Sequence, residues 1–339
     1  MCIRRMVCAL IGITAAGMSQ AQDIVNVIGN NGTTSTLVSG STTVPADVYW
    51  VDIQVFSGAG GGGGADSGGL GGSGGSGGLI TGTIAVTPGD TISYAVGNGG
   101  TGGQSLQYLN SSGTGGGHPG TGGVGAAGGG NGGTNASTNP TGSGGGGGGG
   151  GASLLKIGTT FVLAGGGGGG GGGSYNRAAR AGVSANSLAL VESSSCGTPA
   201  PGLVPAAWTL DGGTGGGGGA GYLGAVGAAG TAGRDSLLAA TGGGAGGACF
   251  YAPGVNLING SLTFAVGPTG GTSINAANVY VNSGNAGRII VTPNTTLPKP
   301  ITSTITATPI PTVSEWALML LSGSLAGFAM LGLRRARMN

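Results

Sequence analysis

Stretches in which apolar and polar residues alternate take turns along this chain with stretches made almost wholly of glycine. Residues 48–56 place Tyr49, Val51, Ile53 and Val55 on one side of an extended chain, the two-residue period of a half-buried strand. Residues 80–86 and 91–96 read as a hairpin around Pro88-Gly89-Asp90, whose turn chemistry separates two apolar runs. Residues 153–163 read as a second hairpin turning near Gly158, and residues 256–266, 277–281 and 288–292 supply the last strands. The expected class is mainly β: short antiparallel strands and hairpins framing glycine-rich tracts.

The tracts differ among themselves. Residues 68–79 read GGLGGSGGSGGL, so that Leu and Ser recur at every third position and would align along one edge of a three-residue helix. Residues 165–173 are nine glycines without interruption. Residues 174–211 are poorer in glycine and read as an insert, with Tyr175, Cys196 and Trp208 in it. A segment rich in Thr and Pro, 294–309, lacks any apolar period and reads as a stalk.

The two ends are patterned differently again. Residues 317–333 are apolar and uncharged, bounded by Trp316 on one side and Arg334, Arg335 and Arg337 on the other. As a helix, those 17 residues reach about 26 Å, enough to cross a thin hydrocarbon core with the arginines on the cytoplasmic side. At the other end Arg4 and Arg5 precede an apolar run, 6–17, and Ser19 and Ala21 offer small residues for signal peptidase. The expected divisions are a signal peptide over 1–21, an N-terminal segment over 22–41 and a glycine-rich β domain over 42–293. After them come the stalk and a C-terminal signal over 310–339. This arrangement places the bulk of the chain outside the cytoplasm.

Composition sharpens the picture. Glycine accounts for 88 of 339 residues, about three times the usual share, while charged residues make up 6%. The formal charge of +2 belongs to the ends, because residues 22–311 carry six basic and eight acidic side chains, leaving −2. With no basic patch to neutralise phosphates, nucleic acid is not an expected partner. Glycine falls in runs rather than at every third place, which excludes collagen. Cys2 and Cys8 lie within the signal peptide; Cys196 and Cys249 remain, and an oxidising compartment would let them pair.

Ile310-Pro311-Thr312-Val313-Ser314-Glu315-Trp316, followed by the apolar run and the arginine cluster, resembles the bacterial IPTL-CTERM sorting signal, a relative of the PEP-CTERM signals. Val313 stands where that family has Leu. The resemblance implies an exported protein of a Gram-negative bacterium, delivered to an envelope sorting machinery; the same residues also fit a plain C-terminal membrane anchor. The body of the chain resembles a glycine-rich domain of phage tail and bacterial surface proteins. That resemblance rests on Val44-Pro45-Ala46 leading into Ser57-Gly58-Ala59-Gly60-Gly61, on residues 86–91 and 96–100, and on Gly287-Arg288-Ile289-Ile290-Val291. It implies tracts packed side by side as polyglycine II helices; without such packing they would be flexible linkers.

Catalytic patterns do not emerge. GxGxxG matches are a product of composition, and Lys156 and Lys299 are followed by Ile157 and Pro300 instead of Ser or Thr, so no phosphate loop is present. His118 is the only histidine, which leaves nucleophile triads and metal sets without a ligand or base. Asp47 and Asp52 are five positions apart on a strand and face opposite ways. The expectation is a non-enzymatic surface protein without cofactor, structural or adhesive, or alternatively a phage-tail-like receptor- or glycan-binding module; the partner expected is a surface glycan or another envelope protein. Tyr175, Trp208, Tyr222 and Tyr251 are the candidate contact aromatics.

Overall fold

The computed structural model describes residues 22–32, 36–66, 68–105, 120–134, 143–175, 177–185, 190–207, 212–234, 238–253, 257, 262–272, 283–299 and 319–321. Chain contacts divide it into Met1–Lys299 and Pro300–Asn339.

In the first unit, alternating aliphatic residues build two sheets that share one core. The five-stranded sheet has the order β1 (Val25–Ile28), β13 (Arg288–Pro293), β3 (Trp50–Phe56), β4 (Gly78–Ala85), β12 (Thr263–Val266) and is antiparallel throughout. The other sheet has the order β2 (Val38–Thr43), β5 (Thr91–Val96), β6 (Ser153–Ile157), β7 (Thr160–Ala164), β11 (Cys249–Tyr251), β8 (Val191–Glu192), with only β11 and β8 parallel. Val51, Ile53, Val55, Ile80, Ile84, Ile289 and Val291 from the first meet Ile92, Val96, Leu155, Ile157 and Val162 from the second in one buried cluster. Burying a Val, Leu or Ile side chain contributes roughly 1.5–3 kcal/mol, so this sandwich is the conventional part of the fold.

The expected hairpin of residues 80–86 and 91–96 does not form. The turn is present: Asp90 N–H donates to Thr87 O at 2.9 Å, and Gly89 takes a φ of +89°, which favours glycine. Its two strands nevertheless enter different sheets, β4 beside β3 and β12, β5 beside β2 and β6. Turn chemistry is local, whereas the choice of sheet follows which face each strand must bury. The β6–β7 hairpin does form, and Gly158 sits in its turn with a φ of +55°.

Tight turns thus occupy one end of the sandwich, and glycine tracts leave and re-enter it at the other. In the tracts the hydrogen-bond period changes from two to three. Gly166, Gly169 and Gly172 donate to Ala220, Gly217 and Thr214; Gly167, Gly170 and Gly173 donate to Gly58, Gly61 and Gly64. Gly168 and Gly171 donate to Val183 and Arg180. The carbonyls accept from three further segments: Gly166 and Gly169 from Gly246 and Gly243, Gly167 and Gly170 from Gly150 and Gly147, Gly168 and Gly171 from Gly75 and Gly72. Residues 165–173 therefore have six neighbours, one of them parallel and five antiparallel. Residues 58–64, 144–151 and 214–220 are enclosed by six segments in the same way.

Run length reports this enclosure. The four runs of five or more glycines in the sequence lie in these four tracts. A Cβ on Gly169 would stand 2.1 Å from Gly147 O, and one on Gly147 would stand 2.2 Å from Gly61 O. Peripheral tracts carry side chains on the open side: Leu70, Ser73 and Ser76 face outward in residues 68–77, as do Ala228, Thr231 and Arg234 in residues 227–234. Residues 177–185, expected to be an insert outside the pattern, join the lattice at its edge. Ala179, Gly182 and Ala185 donate to Leu70, Ser73 and Ser76 at the same three-residue spacing. An edge position needs few glycines.

Substituting Gly169→Ala, which forces a methyl into backbone, is expected to destabilise the fold by about 3 kcal/mol or more. Ser73→Ala on the open edge is expected to stay within about 0.5 kcal/mol. Urea midpoints of the two variants measure the difference.

Candidate functional site

The boundary between sandwich and bundle is held by small polar side chains that are fully buried. Ser57 follows β3; its Oγ accepts from Gly78 N–H at 2.8 Å and donates to Gly165 O at 2.6 Å, at the end of β7 in the opposite sheet. Ser153 opens β6 and mirrors it, accepting from Gly97 N–H at 2.8 Å and donating to Phe56 O at 2.6 Å. Asn98 Oδ1 accepts from Asn30 N–H at 2.9 Å. Each group stands where a two-residue hydrogen-bond period gives way to a three-residue one. Ser153 and Asn98 take the N–H groups of Gly97 and Asn30, while Ser57 reinforces a contact in which Gly78 N–H also donates directly to Gly165 O at 3.2 Å. Sequence reasoning passed over them, although a lone Ser or Asn at each junction of strand and tract was the available signal.

Cys196 and Cys249 are joined in a disulfide, with a Cα–Cα distance of 5.6 Å. Cys196 lies in a 3-10 turn, Ser194–Gly197, and Cys249 opens β11; both are fully buried with Leu163 and Ala220. The bond closes a 53-residue separation and ties the glycine-poor segment to the sandwich.

The candidate contact aromatics do not form one surface. Tyr222 and Tyr251 pack partly buried against the disulfide cluster, beside Phe161. Tyr175 is exposed at the far end of the bundle, next to the turn in which Ser174 and Arg177 exchange backbone bonds. Gly69 is also there, since a Cβ on it would stand 1.9 Å from Ser174 O. Trp208 lies outside the described residues, as does His118. Asp52 is engaged by Asn294 Nδ2 at 3.1 and 3.2 Å and by Thr83 Oγ1. Among the described residues no group of three or more His, Cys, Asp or Glu is placed to hold a metal ion.

The residues 294–309 expected to be a stalk begin docked rather than free. Asn294 N–H donates to Trp50 O at 2.9 Å, Trp50 Nε1 donates to Pro298 O at 2.8 Å, and Lys299 Nζ stands 4.7 Å from the Tyr49 ring centroid. Of the sorting-signal residues, Ile310, Pro311, Thr312, Val313, Ser314, Glu315 and Trp316 lie outside the described residues, as do Arg334, Arg335, Arg337, Ser19 and Ala21. Met319, Leu320 and Leu321, within the apolar run 317–333, are helical and exposed. Among the described residues no helix is long and apolar enough to cross a membrane.

Residues 308–335 match the IPTL-CTERM motif, so the chain carries a C-terminal sorting signal and is an exported protein sorted through it. Among curated proteins none is significantly similar to this chain.

Ser153→Ala leaves the Gly97 N–H without the hydroxyl that accepts from it and is expected to cost about 1–3 kcal/mol in chemical denaturation. Reducing the disulfide is expected to lower stability by about 4 kcal/mol on the chain-entropy model, read as a fall in urea midpoint with reductant present.

Proposed function

We propose that this chain is a non-enzymatic, glycine-rich protein of the bacterial cell surface, structural or adhesive, in which a polyglycine II bundle stands on a β-sandwich. The observation that carries the reading is the match of residues 308–335 to a sorting motif. Three features support it. The three-residue hydrogen-bond period of the tracts is the period of a polyglycine II helix, which has no internal bonds and depends on its neighbours. A buried disulfide suits an oxidising compartment. With Ile24 N–H bonded to Val291 O and Lys299 beside Tyr49, residues 24 and 299 both lie at the turn end of the sandwich.

In this reading signal peptidase cleaves after Ala21, and the helix 317–333 holds the chain in the membrane with the arginines inside. The envelope sorting machinery then acts on residues 310–316. No catalysis and no cofactor are assigned. A receptor- or glycan-binding module is the second reading, favoured by exposed Tyr175 at the far end of the bundle.

Cell fractionation with mass measurement of the mature form is expected to find it in the envelope, beginning at Gln22. Intact precursor dissolved in the cytosol would refute export. On a glycan array the folded protein is expected to be silent; selective binding to one glycan class would replace the scaffold reading with the second one.

A further inference from the structure

β13, the last strand of the first unit, is paired on both sides. β13 pairs with β3 from Arg288↔Phe56 to Pro293↔Val51, and with β1 from Val25↔Val291 to Ile28↔Arg288. At its beginning it is fastened to the bundle junction, where Gly287 N–H donates to Gly97 O at 2.8 Å and Gly29 N–H donates to Gly287 O at 3.0 Å. Beyond its end the chain is fastened again. Asn294 holds Asp52 and the Trp50 carbonyl, Thr296 N–H and Oγ1 fold back onto Asn294 Oδ1 at 3.2 and 2.7 Å, and Pro298 and Lys299 are caught by Trp50 and Tyr49. All the partners of this clip lie on β3 or just before it.

We infer that residues 294–299 and β13 form a force-bearing anchor, built to pass tension from the tail into the body of the first unit; this rests on the tethered surface role proposed above. Inter-strand hydrogen bonds in an antiparallel ladder lie perpendicular to the strands. A pull along β13 from its C-terminal end therefore loads the bonds to β1 and β3 together, in shear, whereas a pull across the sheet would break them one after another. The clip ensures that tension reaches β13 along its own axis. Asn294 and Trp50 hold the chain against the start of β3, so it cannot be levered off the sheet from Pro293 outward. Ile289 and Val291, fully buried, add a core penalty to any sliding of the strand. β1, which flanks β13, and Asp23 just before it add side-chain bonds as well: Arg288 Nη2 donates to Asn26 Oδ1 at 2.8 Å and Thr292 Oγ1 to Asp23 Oδ1 at 2.7 Å.

The test is single-molecule stretching of the full chain, held by a tag at its C-terminus and by a second tag inserted between Arg234 and Leu238. The native chain is expected to show no release from the first unit before its main rupture. The double variant Trp50→Phe, Asn294→Ala is expected to show an early, low-force release of the six clip residues, about 20 Å of chain. Lys299→Ala, which removes only the cation over Tyr49, is expected to leave the force of the main rupture unchanged, because that contact lies outside the β13 ladder. Early low-force release of residues 288–299 from the native chain, about 40 Å for twelve residues, would overturn the anchor. So would a double variant that folds with native thermal stability and stretches like the native chain. Fractionation that found no tethered form would remove the proposed role and leave the stretching traces unchanged, so the two failures are distinguishable.

Discussion

A glycine residue in these tracts has no hydrogen-bond partner within its own tract, yet it lies buried. Its N–H and C=O must both be satisfied from outside, because leaving either group unpaired costs about 1–3 kcal/mol. Three residues per turn send successive groups in three directions, and donors and acceptors together address six neighbours. Residues 166–171 of the enclosed tract meet this demand in full, from 214–220, 58–64, 180–183, 243–246, 147–150 and 72–75. Everything else in the first unit follows from the need to bring those segments alongside one another. Ordering a backbone costs on the order of 1–2 kcal/mol per residue against about 1 kcal/mol returned per hydrogen bond, so no single tract can hold its shape. Order is a collective property of the set.

The sandwich solves the problem of nucleating that set. Its aliphatic core orders the strands by ordinary burial, and each strand delivers a tract to the same end in a definite register. Ser57, Ser153 and Asn98 complete the handover, each bonding backbone groups where one period becomes the other. The disulfide works on the flank, holding a segment whose few glycines let it lie only on the outside. Charge is kept out of the enclosed tracts, which are built from Gly, Ala and Thr.

Much of this was legible in the sequence, and the failures are instructive. Alternation located β3, β5, β6, β7 and β13 because their buried faces are Val, Ile and Leu at every second position. β1 and β2 escaped notice: Val25–Ile28 is four residues long, and Val38–Thr43 is mostly Ser, Thr and Gly, so only pairing with distant strands makes them strands. The turn at Gly89 was readable and the sheet assignment of its flanks was not, since that depends on partners far along the chain. Periodic Leu70, Ser73 and Ser76 correctly signalled an outward edge. Residues 177–185 join the lattice although their composition does not mark them, because position in the lattice sets the need for glycine. The sorting tail was readable by a different route, since a recognition segment keeps its order of residues whatever surrounds it.

Amide hydrogen exchange, resolved along residues 165–173, tests the central claim most directly. If these glycines hydrogen-bond to six neighbours, they exchange as slowly as Val51 and Ile53 in the core of the sandwich and lose protection together with them in denaturant. If they exchange at the rate of an unstructured chain while β3 remains protected, the tracts are linkers, and the account of a backbone lattice is wrong.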